Sequence, residues 1–453
     1  MLLLRRHPLA FALSAALVAL PAAAAETPND PAVLDRVEVE GQNLTPLAPL
    51  SLEGAKKRLA ERAGATTLVD AEALRQGRVS TLSDALGFAA GVFVQPRFGS
   101  EESRIAIRGS GVQRTFHGRG LVVLQDGIPI NLADGGFDMQ SIDALSARYI
   151  EVWRGPNALE YGAASLGGAI NYVSPTGYDI DGARLRAEAG SFGYGRWQAQ
   201  WGGHSGAHDA VVSLGGFAQD GYRANARQEN HRLGANWGYR FSDTLDARVY
   251  LTHVDTRSAL PGSLTRAQFL ANPRQANGGS VLLDQRRDFE LTRASLRVAY
   301  RPEAGRELLV SAFASDKFLD HPNFQELQQD SLDRGIDVRV RDEGEINGRR
   351  NVFVAGFGHV RGDTRDDRWV NRGRANPDDH RGARTDQNDQ LATSTTVFFE
   401  NQHWLGQRWV AVVGAQALSA KRRFVDRLPV PCDASFDRGY DACSPKLVLR
   451  FEA

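Results

Sequence analysis

The sequence predicts two folded parts, an α+β domain over residues 51–180 and an antiparallel transmembrane β-barrel over residues 181–453. Three observations predict this architecture: a glycine-rich strand–turn–strand segment at 149–176, an export signal, and period-two alternation after Ala183 in runs of about ten residues. No later segment is apolar and long enough for a membrane-spanning helix, so we expect any membrane crossing to use β-strands.

Residues 1–25 have the features of a secretory signal peptide. Arg5 and Arg6 precede an apolar run over 9–20, and alanines at 23–25 supply a small-residue cleavage site. A membrane anchor is the alternative, but the apolar run is shorter than the roughly 18 residues that span a bilayer. We therefore expect export, with a mature chain that begins near Glu26.

The segment at 149–176 contains two strands joined by a glycine-rich turn. Ile150, Val152 and Trp153 indicate the first strand, which Gly155 and Pro156 end before a helical turn over 157–161. A second strand follows at 169–173. The intervening residues, including Gly167 and Gly168, are too small to pack as ordinary core, so we expect backbones to approach closely there.

Three further segments of this domain have recognisable patterns. Residues 80–92 predict a helix with Ser80 as N-cap and Gly91 as C-terminal stop. Residues 121–130, LVVLQDGIPI, predict two strands joined by an Asp-Gly turn. Residues 103–109 read SRIAIRG, which ends in Arg108 and Gly109.

These segments resemble the plug domain of TonB-dependent outer-membrane receptors of the ferric-chelate type. In that family a strand ending in Arg-Gly-Pro, here Arg154 to Pro156, is followed by Tyr-Gly, a Gly-Gly pair and Ile-Asn, and an Ile-Arg-Gly lies upstream. Ala90 departs from the proline that the family often has before Gly-Val. The resemblance implies a plug enclosed by a barrel of twenty-two strands. Within it we expect Arg108 and Arg154 to form internal ion pairs between plug and barrel.

A short segment before the plug resembles a TonB box. Residues 34–41, LDRVEVEG, alternate apolar and charged side chains within a proline-rich stretch over 26–50, which we interpret as a periplasmic tether. An extended segment can add itself as a strand to the sheet edge of a partner, here TonB. An ordinary solvated linker is the alternative. The predicted box comprises Asp35, Arg36, Val37, Glu38 and Val39.

Alternation and loop lengths predict the barrel. Residues 245–251 and 294–300 place apolar side chains on one face and polar ones on the other. A soluble sandwich also alternates, but here short connections alternate with long ones, as in outer-membrane barrels. The expected short connections are 203–208, 242–243, 302–305 and 405–407, and the long ones are 256–288, 318–330, 363–388 and 421–444. Aromatic residues expected at the membrane interfaces are Trp197, Trp201, Tyr239, Tyr300, Trp404 and Trp409.

The expected number of strands is about twelve, fewer than the twenty-two of the family. A wall of that width could not enclose a plug, and the chain stops at Phe451-Glu452-Ala453 rather than on the aromatic residue with which the family tends to end. The sequence is therefore interpreted as a receptor truncated within its barrel.

Composition excludes some functions and leaves two cysteines to explain. The net charge is zero and the arginines are spread along the chain, which gives nucleic-acid binding no support. No catalytic motif or metal-ligand cluster is found, so we expect neither an enzyme nor a cofactor.

Cys432 and Cys443 lie close in sequence in an exported chain, which predicts a disulfide.

The resemblance implies monomeric, TonB-driven uptake of a ferric chelate, a siderophore or ferric citrate, across the outer membrane. A passive or structural barrel protein without energy coupling, or a non-functional truncated receptor, is the alternative. Outward plug loops are the expected ligand contacts, since converging arginines suit an anionic chelate; pairing of these arginines with barrel carboxylates is the competing interpretation. The candidate ligand residues are Arg97, Arg114, His117, Arg119 and Asp134.

Overall fold

The computed structural model describes residues 50–452 except 63, 80, 97–101, 111–119, 162–164, 374–379 and 429–431. The side chains of residues 156–158 also lie outside the description.

The first part is a small α+β domain, which we call the plug domain. β1, β6, β7, β4 and β5 form one sheet in that order, and β2 and β3 form a separate hairpin. The elements of the domain are α1 (Leu52–Ala60), β1 (Thr66–Asp70), α2 (Ala71–Arg75), α3 (Leu82–Leu86), β2 (Val92–Pro96), β3 (Ser103–Ile107), β4 (Leu121–Gln125), β5 (Ile128–Pro129), β6 (Tyr149–Arg154) and β7 (Gly168–Val173).

The core of the plug domain lies around its central strands. All six residues of β6 and of β7 are buried, because the sheet is covered on both faces. Leu86 of α3 and Leu145 pack into the same apolar cluster as Ile150 and Ile170. The two strands predicted at 149–176 and the Asp126-Gly127 hairpin turn are confirmed.

The helix predicted over residues 80–92 is shorter than expected. Thr81 is its N-cap and forms a capping box with Asp84, and the helix ends at Leu86 with Gly87 as C-cap. Gly91 adopts a φ of +75° in the turn before β2, so it belongs to the following turn and does not end the helix.

The second part is an antiparallel sheet of twelve strands, which confirms the expected number within the described residues. Each strand pairs with its neighbours in the chain, and β8 and β19 are the two edges. The strands are β8 (Gly182–Ala189), β9 (Gly195–Ser205), β10 (His208–Gln219), β11 (Gln228–Arg240), β12 (Leu245–Ser258), β13 (Asp288–Tyr300), β14 (Arg306–Pro322), β15 (Gln325–Ile346), β16 (Arg349–Asn371), β17 (Arg381–Trp404), β18 (Trp409–Asp426) and β19 (Phe436–Phe451).

The turns at one end of this sheet are all short. Short connections are confirmed near all four predicted positions, at 206–207, 241–244, 301–305 and 405–408, although residues 203–205 and 208 of the first predicted one belong to strands. A fifth, Asn347-Gly348, joins β15 to β16 with both residues at positive φ. At the other end the long connection between β12 and β13 is confirmed, and it carries α4 (Arg266–Ala271) and α5 (Gly278–Leu282).

Three predicted long loops are wrong, because most of their residues belong to strands. Only residues 323–324 separate β14 from β15, and the strands β16 to β19 extend far into 363–388 and 421–444. These segments are charged, but their charges alternate along extended backbone and pair two residues apart, as in Arg361–Asp363 at 2.9 Å and Arg365–Asp367 at 2.9 Å. Their polar composition is therefore the same as that of a loop, although their backbone is extended and paired.

The two faces of the sheet have opposite character. Apolar side chains such as Val249, Leu296 and Val413 are exposed on the face away from the plug domain, whereas polar side chains are buried on the face toward it. A water-soluble sheet would show the reverse, and this arrangement is typical of strands that meet lipid. The prediction that Trp404 lies at a membrane interface is wrong. Its side chain points inward and is 7% exposed, and its ring centroid lies 4.4 Å from the guanidinium carbon of Arg350.

Within the described residues, the structure contains no helix with the length and apolar character that crossing a membrane requires.

Candidate functional site at the interface of plug and sheet

The loop that follows β5 fastens the plug domain to the sheet. The backbone N–H of Ala133 donates to Asp333 Oδ1 at 2.7 Å, and its carbonyl accepts from Arg422 Nη2 at 3.1 Å. Asp134, a predicted ligand contact, is half-buried and accepts from the N–H of Gly136 at 2.8 Å, which closes the turn. Its carboxylate thus shapes the loop, and its contact with ligand stays a prediction.

A buried carboxylate at the end of this loop binds two cations of the sheet. Asp138 accepts hydrogen bonds from Arg287 of the β12–β13 connection and from Lys317 of β14, and all three side chains are at most 7% exposed. Burial alone would raise the pKa of Asp138, but Lys317 and Arg287 hold that pKa well below its usual range. Asp138 therefore stays ionised, and we call this group the Asp138 clasp.

A second charged network ties the turn that follows α1 to the opposite part of the sheet. Arg62 lies 3.2 Å from Glu160 of the plug domain and 3.5 Å from Glu400 of β17. Glu400 also accepts from Lys446 of β19 at 2.7 Å, and all four side chains are largely buried. Because α1 is the first described helix after the predicted tether, this network connects the tether side of the plug domain to the sheet.

The arginine at the end of β6 has partners inside the plug domain. Arg154 donates to Thr67 Oγ1 at 2.7 Å, to the carbonyl of Thr66 at 3.0 Å and to the carbonyl of Ala90. These hydrogen bonds join β6 to β1 and to the segment before β2. These partners are neutral groups of the plug domain, so the ion pair with the barrel that the sequence suggested is not among these contacts of Arg154.

The glycines predicted at close backbone contacts occupy such positions. A Cβ added to Gly168, whose φ is +139°, would lie 1.9 Å from the carbonyl oxygen of Trp153, and one added to Gly167 would lie 2.8 Å from that of Ile107. Gly155 has a φ of +64°, where its Cβ would meet Arg108 at 3.1 Å. Arg108 itself has a φ of +52° before Gly109. These residues form the tight seam between β6, β7 and β3.

The predicted disulfide between Cys432 and Cys443 is absent, and both cysteines are free and exposed. Cys443 lies within β19, seven residues beyond Phe436, which is about 23 Å of extended chain. Four residues connect Cys432 to Phe436 and span at most about 14 Å. The two Cα atoms are therefore farther apart than the roughly 7 Å limit for a disulfide.

We expect both thiols of the folded chain to react with maleimide without prior reduction, because neither is buried or bonded. The mass increase of the intact protein should correspond to two labels. Labelling that appears only after reduction would contradict the free thiols.

Five predicted site residues of the tether, from Asp35 to Val39, lie outside the described residues, as do Arg97, Arg114, His117 and Arg119. Sequence reasoning missed the clasp cations and the α1 network. One signal was available: the chain has only five lysines, and Lys317 and Lys446 are both buried at the interface. Because a lysine ammonium is strongly hydrated and is almost never buried unless it is paired, a rare lysine on the polar side of an alternating strand is a candidate for an internal ion pair.

Comparisons with known proteins agree with this architecture. The TonB-dependent Receptor Plug Domain family matches residues 58–169. The vitamin B12 transporter BtuB of Vibrio vulnificus strain YJ016 is 32% identical over 180 residues, covering 38% of this chain and 27% of that protein. The Hemin receptor of Yersinia enterocolitica is 28% identical over 128 residues, covering 28% and 17%. These relatives are named as a transporter and a receptor rather than as enzymes.

Solved structures extend the similarity to the twelve-stranded sheet. The unliganded ferric citrate transporter FecA superposes with a TM-score of 0.77 at 16% identity, covering 90% of this chain and 63% of that one. The ferric yersiniabactin uptake receptor FyuA of Yersinia pestis gives 0.64 at 15%, covering 85% and 61%. This chain thus spans less than two thirds of either. Residues 58–169 thus match the plug-domain family of the TonB-dependent receptors, and the sheet that follows has the fold of the corresponding strands in these solved structures.

Proposed function

We propose that the protein takes up a ferric chelate across the outer membrane by TonB-dependent active transport. The observation that carries this proposal is the attachment of a folded plug domain to the polar face of the sheet through buried ion pairs, the Asp138 clasp at one end and the Arg62–Glu400 network at the other. Charged groups can exchange a protein partner for water when the interface opens. A plug domain held by such ion pairs can move relative to the sheet while the backbone hydrogen bonds between the strands of the sheet stay intact.

The tether supports energy coupling rather than a passive pore. Residues 34–41 can pair as a strand with TonB, and α1 follows them closely in the chain, so force on the tether would reach the Arg62 network first. Residues 1–25 would direct export. The mature protein would be a monomer surrounded by outer-membrane lipid, which the exposed apolar band on the sheet fits.

The ligand is proposed to be an anionic ferric chelate. Matched relatives and structures carry names for vitamin B12, hemin, ferric citrate and ferric yersiniabactin, so similarity does not choose among them. The charge of the predicted contacts favours an anionic ligand, because Arg97, Arg114 and Arg119 can bind anionic oxygens through charge-assisted hydrogen bonds.

Deleting Val37 to Val39 should abolish iron uptake and leave ligand binding intact, because the tether transmits force and does not touch the chelate. Uptake of radioactive iron by cells and its binding at low temperature, without energy, measure the two steps separately. A matched deletion of three residues at 27–29 is the control, since it shortens the same tether outside the box. Loss of binding together with uptake would contradict the tether role.

A further inference from the structure

A row of cations crosses the face of the sheet that points away from the plug domain. Arg334 of β15 lies directly opposite Arg361 of β16, and Lys421 of β18 is two strands farther along the same row. Asp333 and Arg422 bind the plug loop, so their neighbours Arg334 and Lys421 point outward. The strands β15 to β18 are each paired on both sides, so the exposure of this row does not come from an edge of the sheet.

The row lies where the apolar part of the outward face ends. Arg361 is twelve residues beyond Arg349, at the short turn that begins β16, and about 9–11 residues cross a bilayer. Between the row and the short turns, Ile336, Phe357 and Val397 are exposed on the same face. In the proposed outer-membrane location the row therefore meets the headgroups of the outer leaflet.

The two arginines of the row keep an excess of positive charge. Like charges directly opposite each other on neighbouring strands destabilise a sheet. Asp363 lies 2.9 Å from Arg361 and 3.5 Å from Arg334, so one carboxylate serves both guanidinium groups. Lys421 lies 3.2 Å from Asp437, which balances its charge. An anion from outside the chain would therefore be stabilised between Arg334 and Arg361.

A groove of about 540 Å³ opens beside this arginine pair, on the side away from the apolar residues. Guanidinium groups bind phosphate in bidentate fashion, and carboxylates accept hydrogen bonds from hydroxyl groups. The groove offers both kinds of group together with apolar contacts, and it is lined by Asp330, Leu332, Arg361, Arg365, Asp389 and Leu391, among others. This mixture suits a ligand that carries phosphates and several hydroxyl groups. A purely anionic ligand would meet the carboxylates as like charges.

We infer that the arginine pair and the groove bind the phosphorylated sugar headgroup of a glycolipid in the outer leaflet. A phosphate lies between Arg334 and Arg361, the sugar hydroxyls donate to the groove carboxylates, and the acyl chains lie along Ile336 and Phe357. A glycerophospholipid would supply the phosphate and leave the groove largely empty. This inference rests on the proposed outer-membrane location, and it does not depend on the identity of the transported ligand.

Binding of three lipids to the full chain in detergent, measured by native mass spectrometry, tests the inference. The probes are lipid A, which is an acylated diglucosamine with two phosphates, its dephosphorylated form, and phosphatidylglycerol. We expect lipid A to bind about tenfold more tightly than either of the others. The double variant Arg334→Gln, Arg361→Gln should weaken lipid A binding about tenfold and leave the dephosphorylated form unaffected.

Arg306→Gln is the matched control. Arg306 points outward and is 55% exposed, as Arg334 is, but it lies at the short-turn end of β14, on the other side of the apolar residues. Its substitution should leave lipid A binding unchanged. Equal weakening in this variant would show that any outward cation attracts the lipid, and would overturn the site.

The other outcomes separate the inference from the proposed function. Equal binding of lipid A and phosphatidylglycerol would overturn recognition of the sugar, and unchanged lipid A binding in the double variant would overturn the arginine pair. Binding of a ferric chelate by a chain that binds none of the lipids would overturn this inference and leave the proposed function standing. Selective binding of lipid A by a chain that binds no ferric chelate would do the reverse.

Discussion

Replacing Gly168 by alanine should unfold the seam between β6 and β7. The new methyl group would lie 1.9 Å from the carbonyl oxygen of Trp153, and the φ of +139° is one that alanine rarely adopts. Because that carbonyl belongs to a buried central strand, it cannot move aside. We expect a loss of more than about 4 kcal/mol in the free energy of unfolding of the plug domain. Hydrogen–deuterium exchange of peptides covering 149–173 measures the loss of protection.

Gly109→Ala is the matched control for this result. Gly109 also has a positive φ, +87°, but a Cβ there would meet no atom within 4 Å. Its substitution should cost only the backbone strain, about 1 kcal/mol. Equal losses in the two variants would show that backbone conformation, and not the contact with Trp153, requires glycine at position 168.

Replacing Asp138 by asparagine should release the plug loop from the sheet. The substitution keeps the shape of the side chain but removes the carboxylate charge that Arg287 and Lys317 share. Removing one partner of a buried ion pair costs about 3–5 kcal/mol. We expect faster exchange of peptides covering 131–143 and faster proteolysis there, while the strands of the sheet keep their protection.

Two further variants distinguish the loss of the Asp138 charge from a nonspecific loss of stability. Adding Lys317→Met to Asp138→Asn removes one of the two buried cations that bind Asp138 and should restore part of the protection. Glu53→Gln breaks an exposed pair with Lys56 in α1 and should change little, because exposed ion pairs contribute little to stability. If the double variant were no better protected than Asp138→Asn alone, the charge explanation would be wrong.

Local chemistry made much of the plug domain predictable. The Asp126-Gly127 turn, the strand ending at Arg154 and the close approach at Gly167 and Gly168 follow from residues adjacent in the chain, because glycine and turn residues act within a few positions. The predicted N-cap of α3 was one residue too early. Serine and threonine are both favourable N-cap residues, and Thr81 is the one placed three residues before Asp84, with which it forms a capping box.

Contacts between distant segments were not predictable in the same way. Asp138 is 149 residues from Arg287 and 179 from Lys317, and no periodicity encodes those pairings. The predictions of long loops were wrong for a related reason. Segments of alternating Arg and Asp residues have the composition of a loop even where their backbones pair with neighbouring strands. The disulfide was expected from sequence proximity, but extended strand geometry separates the two sulfurs.

The lengths of β15, β16 and β17 have a consequence for recognition from outside the cell. These strands contain 22, 23 and 24 residues, whereas about 9–11 suffice to cross a bilayer. In the proposed outer-membrane location, about half of each strand would extend beyond the bilayer as a hydrogen-bonded ladder, and β14 and β15 are joined by a tip of two residues. Because the backbone of that tip is already ordered by the ladder, an antibody that binds it would pay little conformational entropy. We therefore expect a higher affinity than for an epitope of the same size in a mobile loop.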